Sequence, residues 1–250
     1  MTLTFEDIYS FIELLPESDT ITLIGGQALN FWTELYFHNN PEFYKKYGPF
    51  TSMDIDFLGG KSEIIECAEN WGGTVKLSDP FDITPNSGIV IIPFKAGENL
   101  IVDFLTSVHG LTDAEVLKHR IKIRYKNAGF YVIHPIHCLK SRIVNLIGLY
   151  RNDQVSLSRV EIAIAIVNKR IIQLVYENRK RQALDEIEMV FRLSCNSMFG
   201  IPLYTDYGLD IFEAVPKTSC LGDMFLTRRY PQMKQILDTK RNRRKLSDEK

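Results

Sequence analysis

Hydrophobic and polar positions follow two different patterns in the two parts of the chain. Up to about residue 150, short apolar runs rich in β-branched residues alternate with stretches of helical apolar spacing, and glycine-rich turns separate many of them. Strands are predicted near 21–24, 52–57, 74–77, 88–94, 100–105, 121–125 and 130–133. Helices are predicted over the first 17 residues, near 27–37 and 62–71, from 112, and from 135. Beyond about residue 157 the spacing is helical almost throughout.

This change of pattern predicts the fold class and the domain organisation. Alternating strands and helices favour an α+β fold, with a mixed sheet and flanking helices over residues 1–150. The long periodic stretches favour a helical bundle over residues 151–250. Helix ends are marked by local signals: Thr4 and Ser62 are expected N-caps, Pro16 ends the first helix, and Thr112 with Glu115 forms a capping box.

The candidate chemistry lies in three aspartates inside apolar runs. Asp54 and Asp56 are separated by one residue, so on a strand both carboxylates point to one face. Such neighbours repel unless a cation lies between them, and hard oxygen ligands suit Mg²⁺ or Mn²⁺. Asp103, in the run 100–105, could complete the site. The alternative is a surface strand with exposed aspartates, although aspartate is depleted from strands.

A glycine pair lies upstream of these acids. Gly25 and Gly26 follow a short apolar strand and precede a segment with apolar residues at helical spacing. A strand-to-helix turn of this kind offers backbone N–H groups and a helix N-terminus, both of which suit phosphate. An ordinary tight turn is the alternative.

Together these parts resemble the polymerase-beta-like nucleotidyltransferase superfamily, and most closely its abortive-infection toxins of the AbiEii type. The resembling residues are Gly25-Gly26-Gln27-Ala28-Leu29, Ser52-Met53-Asp54-Ile55-Asp56 and a helical lysine, Lys140. The resemblance covers about residues 20–155. Residues 27–53 form a longer gap before Asp54 than the superfamily pattern has, and Asp153 stands in a shortened version of a later family motif.

The resemblance implies transfer of a nucleoside monophosphate from a nucleoside triphosphate to a hydroxyl of RNA (tRNA-like) or of protein. Asp54 and Asp56 would hold Mg²⁺, while Asp103 would hold a second metal ion or act as base. Gly25, Gly26, Ser52 and Lys140 would bind the nucleotide. Arg142 is a further candidate for nucleotide binding, because helical spacing places it off the buried stripe of its helix. It also implies the toxin of a toxin–antitoxin or phage-defence system, with an antitoxin protein as a partner. A metal-dependent nuclease and a non-catalytic nucleotide-binding module remain as alternatives.

Composition narrows the class of protein. No apolar run approaches the ~20 residues of a membrane span, and the N-terminus lacks signal-peptide features, so a cytoplasmic protein is expected. The 4 cysteines lie far apart, which predicts reduced thiols and neither a zinc site nor a disulfide framework. Net charge is −1, but residues 228–250 are strongly basic. This segment predicts either a contact with a polyanionic partner or a solvated helix end.

Overall fold

The structure is a computed structural model that describes residues 2–79, 81, 84–94, 97–151 and 153–248. The chain divides into two units, Met1–Cys138 and Leu139–Lys250. This division falls inside a helix, upstream of the boundary predicted after residue 150. The first unit contains the sheet, and the second consists of helices and short helical turns.

Seven strands in the described ranges form one mixed sheet in the order β3-β4-β5-β2-β1-β7-β6. Their bounds are β1 Thr22–Ile24, β2 Ile55–Leu58, β3 Thr74–Leu77, β4 Asn86–Pro93, β5 Asn99–Leu105, β6 Ile121–Tyr125 and β7 Ala128–Val132. The central strand β2 runs antiparallel to β1 and parallel to β5, and β1 in turn runs parallel to β7. The expected pairs β4–β5 and β6–β7 are antiparallel neighbours. The α+β class is thereby confirmed.

Helices accompany this sheet in the first unit. They are α1 Phe5–Glu13, α2 Gly25–Phe37, α3 Pro41–Tyr47, α4 Lys61–Trp71 and α5 Asp113–His119. Helix α2 contacts β1 and β2, and α4 contacts β3 and β4. Fully buried rings of Phe31, Trp32, Phe57 and Phe104 fill the core. Their burial stabilises the arrangement that holds the ends of β1 and β2 together.

Most predicted caps are present, and one is wrong. Thr4 and Thr112 form capping boxes with residues three positions on. Helix α4, however, begins at Lys61 with Gly60 as its N-cap, and the Gly60 N–H donates to Glu63 at 3.0 Å. Ser62 therefore lies inside the first turn rather than at the cap. Helix α3 was not predicted, although Asn40 caps it and Pro41 begins it.

The second unit continues from α6 Pro135–Gly148 through α7 Gln154–Tyr176, α8 Lys180–Ser194, α9 Gly200–Tyr207 and α10 Tyr230–Asp248. The predicted stripe of α6, at Ile136, Leu139, Ile143 and Leu146, is buried. All four cysteines are free thiols, as expected. Across the described ranges, no helix combines the length and the apolar character that a membrane span requires.

Candidate active site

The site lies where the C-terminal end of β1 meets the N-terminal end of β2. The two strands are antiparallel, and Ile24 is paired with Asp56. On its other side β2 runs parallel to β5, where Asp56 is paired with Asp103. Paired residues in neighbouring strands point to the same face, and strands lie roughly 4.8 Å apart. The structure therefore brings two of the predicted acids together side by side.

Gly25 lies against the carboxylate of Asp56. It is the first residue of α2 and has φ +66°, in the left-handed region. A Cβ at this position would lie 1.8 Å from Asp56 Oδ2. The residue before the helix, Ile24, provides no side-chain cap. Only glycine fits this close approach between a carboxylate and the positive end of a helix.

Gly26 makes a similar approach to Ser52. A Cβ on Gly26 would lie 2.2 Å from Ser52 Oγ. Ser52 is buried and is held by an isolated bridge to Leu3, with N–H···O distances of 2.8 and 2.9 Å. The same Leu3 carbonyl accepts a hydrogen bond of 3.1 Å from the buried amide of Gln27 in α2. The N-terminal segment thus fixes the Ser52 hydroxyl beside the first turn of α2.

Asp54 takes a different position from the one predicted. It precedes β2 rather than lying within it, and its side chain is exposed. Its charge nevertheless acts on Asp103 and contributes to raising the pKa of that carboxyl. Asp54 and Asp103 therefore interact through their charges, and Asp56 is the strand neighbour of Asp103. No three His, Cys, Asp or Glu side chains among the described residues form a ready-made metal cage.

Asp103 is partly buried and has a partner that the sequence did not suggest. Burial raises the pKa of its carboxyl, a hydrogen bond from Asn86 lowers it, and the charge of Asp54 raises it. The Asn86 Nδ2 donates to Asp103 Oδ1 at 3.2 Å, while Asn86 Oδ1 accepts from the Gly88 N–H at 2.8 Å. Asn86 lies at a register shift at the start of β4. Asn86 thereby orients one oxygen of Asp103.

Local sequence gave only a weak signal for Asn86. A polar residue followed by Ser87 and Gly88 at a strand start is typical of a bulge. Its partner lies 17 residues away, across a hairpin, and such a contact has no local signature. The role of Asn86 is visible only in the paired sheet.

Lys140 and Arg142 lie on α6 in the second unit. Both are partly buried, and both lie off the buried stripe, as predicted. The Arg142 Nε is buried without a hydrogen-bond partner in the described part of the chain. Their predicted reach to the carboxylates stays a prediction. Asp153 has a structural contact: it caps α7, accepting from the Ser156 N–H at 2.9 Å and from Ser156 Oγ at 2.7 Å.

The basic segment 228–250 is helical as far as Asp248. Its first two residues end the helical turn Phe225–Arg229, and Tyr230–Asp248 form α10. Arg241 is 6% exposed, pairs through both Nη atoms with Asp210 and lies 3.7 Å from the Tyr204 ring centroid. Arg244 donates to Asp206 at 2.8 Å. Two of the basic side chains therefore hold the second unit together.

Comparisons with known proteins add little to this geometry. No protein-family model matches the chain, and no curated protein sequence does. Among solved structures, the crystal structure of JHP933 from Helicobacter pylori is similar, with 11% identity and a TM-score of 0.39 over 97% of this chain and 94% of that one. The functional argument therefore rests on the residues of this chain.

Proposed function

We propose that the chain is a metal-dependent nucleotidyltransferase that moves a nucleoside monophosphate from a nucleoside triphosphate to a hydroxyl of RNA or protein. One observation carries the proposal. Asp56 and Asp103 stand side by side on β2 and β5, and the Asp56 carboxylate lies against Gly25 at the start of α2. This arrangement combines metal-ligating oxygens with a phosphate-binding helix end.

The acids have distinct roles in this proposal. Asp54 and Asp56 would hold Mg²⁺ or Mn²⁺, since Mg²⁺ usually takes one or two carboxylates together with substrate phosphates. When bound, the metal would neutralise negative charge on the triphosphate. Asp103 would hold a second ion or accept the proton of the attacking hydroxyl. Its raised pKa makes it a stronger base than an ordinary aspartate.

The first turn of α2 would receive the phosphates. The backbone N–H groups at Gly25 and Gly26 and the hydroxyl of Ser52 are suited to β- and γ-phosphate oxygens. Close packing of Ser52 on Gly26 fixes that hydroxyl in advance, so little reorganisation would accompany binding. Lys140 is assigned to phosphate binding by the family resemblance, and Arg142 by its predicted position off the buried stripe of α6. A toxin role and an antitoxin partner rest on the family resemblance alone.

A transfer assay tests the proposal directly. The full chain is incubated with each of four triphosphates labelled at the α-phosphate, with Mg²⁺ or Mn²⁺, total cell RNA and total cell protein. We expect label to enter one acceptor class, and Asp56→Asn and Asp103→Asn to abolish it. Glu66→Gln, which removes the charge of an exposed side chain on α4, is the matched control and should retain activity.

The same assay separates the alternatives. Cleavage of RNA without consumption of triphosphate would identify a nuclease and contradict the proposal. Binding of triphosphate with Mn²⁺, but no label in any acceptor, would favour a non-catalytic nucleotide-binding module.

A further inference from the structure

A cavity lies within the helical unit, between α8 and the start of α10. Its volume is ≈ 410 Å³, and its wall is mainly apolar, with Leu184, Met224 and Phe225. This volume is within the usual range for small-molecule sites. Phe225–Arg229 forms a π-helical turn, a rare conformation that is frequent at functional sites.

The polar edge of the cavity is a fixed network. Arg229 donates through Nε and Nη2 to both oxygens of Glu188 at 2.7–2.8 Å, and through Nη1 to Gln232 Oε1 at 3.1 Å. All three acceptor oxygens are therefore used by one guanidinium group. The Gln232 amide presents its NH₂ group, which donates no hydrogen bond within the described ranges. A ligand at this edge must offer acceptors.

The guanidinium group of Arg228 lies at the same cavity. Arg228 is exposed, lines the cavity and has neither a hydrogen bond nor an ion pair among the described residues. Its partner in a complex would be an anion, and a phosphate oxygen pair matches the planar fork of arginine. The ligand that fits this cavity therefore has a flat apolar ring system with hydrogen-bond acceptors on its edge and an anionic group attached.

We propose that this cavity binds a nucleotide, with its base on the apolar wall, base acceptors at Gln232 and its phosphate at Arg228. The nucleotide would be free in solution or an unstacked residue of single-stranded RNA, because the two share this chemistry. A fatty acid offers a single carboxylate for both Arg228 and Gln232, whereas a nucleotide offers a phosphate and separate acceptors on its base. The inference concerns the helical unit and does not depend on transferase activity.

Methionine methyl NMR on the full chain tests the proposal, because two exposed methionines report on separate places. Met224 lines the cavity, whereas Met53 directly precedes Asp54 in the first unit. Methyl-labelled protein is titrated without metal with the four nucleoside monophosphates, a short single-stranded RNA, its duplex and dodecanoate. Met224→Leu assigns the cavity signal.

We expect the Met224 signal to shift with a monophosphate or with the single strand, and these two arms distinguish the sources. Arg228→Gln should weaken binding by about tenfold. Arg243→Gln removes the same charge from an exposed site on α10 and should change affinity less than twofold. Equal weakening by both variants, a Met224 shift with dodecanoate alone, or no shift at all would overturn the proposal. A separate titration with Mg²⁺ and ATP is followed at the Met53 signal and reports on binding at the acidic site. The absence of nucleotide binding at that site can therefore be distinguished from its absence at the cavity.

Discussion

Replacing Gly25 by alanine tests how the site is built. Alanine in the left-handed region costs about 1–2 kcal/mol, which for a protein of this size corresponds to a Tm decrease of about 2–8 °C. The added Cβ would also lie 1.8 Å from Asp56 Oδ2, whereas real Cβ contacts stay beyond 3.0 Å. The carboxylate must therefore move by more than about 1 Å, and a misplacement of roughly this size can lower activity about 100-fold.

Gly72 provides a matched control for the energetic cost of placing alanine in a left-handed backbone conformation. It follows α4 with φ +65°, almost the value of Gly25, and no atom lies within 4 Å of a Cβ built there. Gly72→Ala should therefore show a similar backbone penalty in thermal unfolding and retain transfer activity. The difference between the two variants measures the clash with the carboxylate.

A double-mutant cycle completes the test. In an Asp56→Ala background the carboxylate is gone, so Gly25→Ala should lower the free energy of unfolding by less than it does in the parent. Coupling of about 0.5–3 kcal/mol is typical of residues in contact. If Gly25→Ala and Gly72→Ala lowered both Tm and activity equally, the proposed role of the Gly25–Asp56 contact would be refuted.

Four further outcomes follow from the same contacts. Because the pKa of Asp103 is raised, its ionisation costs stability as pH rises through the folded-state pKa, so Asp103→Asn should raise Tm at pH 7 and lose this gain toward pH 3.8. Asn86→Ala should raise that pKa further and, because the proposed base must be deprotonated, shift the acidic limb of the transfer pH profile to higher pH; an unchanged profile would contradict its positioning role. Lys140→Ala should lower kcat/KM about 100-fold, and Arg142→Ala should lower it much less. Equal and small effects of the two changes would mean that Lys140 does not contact the phosphates. Arg241→Ala leaves a carboxylate without its buried partner and should destabilise the protein by about 3 kcal/mol in denaturant unfolding, whereas an effect under 1 kcal/mol would make the contact incidental.

Local patterns predicted those features that local forces determine. Residues 74–77 form a strand as expected, Thr112 caps α5, and the stripe of α6 is buried. Each of these depends on residues within one or two turns, or on simple alternation. The sequence also placed Asp103 in the same candidate site as Asp56, but it did not predict that their strands would be neighbours.

Features that depend on distant partners were missed or misread. In the sequence, the basic residues of α10 form a run of charges with no acidic partner nearby. Their partners lie 31 and 38 residues upstream and are visible only in the fold. Asp54 lies outside β2, between the Leu3–Ser52 bridge and the first strand residue, Ile55, and the long-range bridge has no local signature. Helix α3 differs from these cases, because Asn40 and Pro41 carried a local start signal that its short length concealed.

Two features of this site work against stability. Asp103 is a partly buried carboxyl, and the charge of Asp54 opposes its ionisation. Simple substitutions would relieve both, and a fold under selection for stability alone has no reason to retain them together. Their coincidence favours an active site over a structural cluster. We therefore expect Asp54→Asn to lower the pKa of Asp103 and to raise Tm at neutral pH. A lower Tm would mean that Asp54 supports the fold, and the proposed transferase would lose its main electrostatic argument.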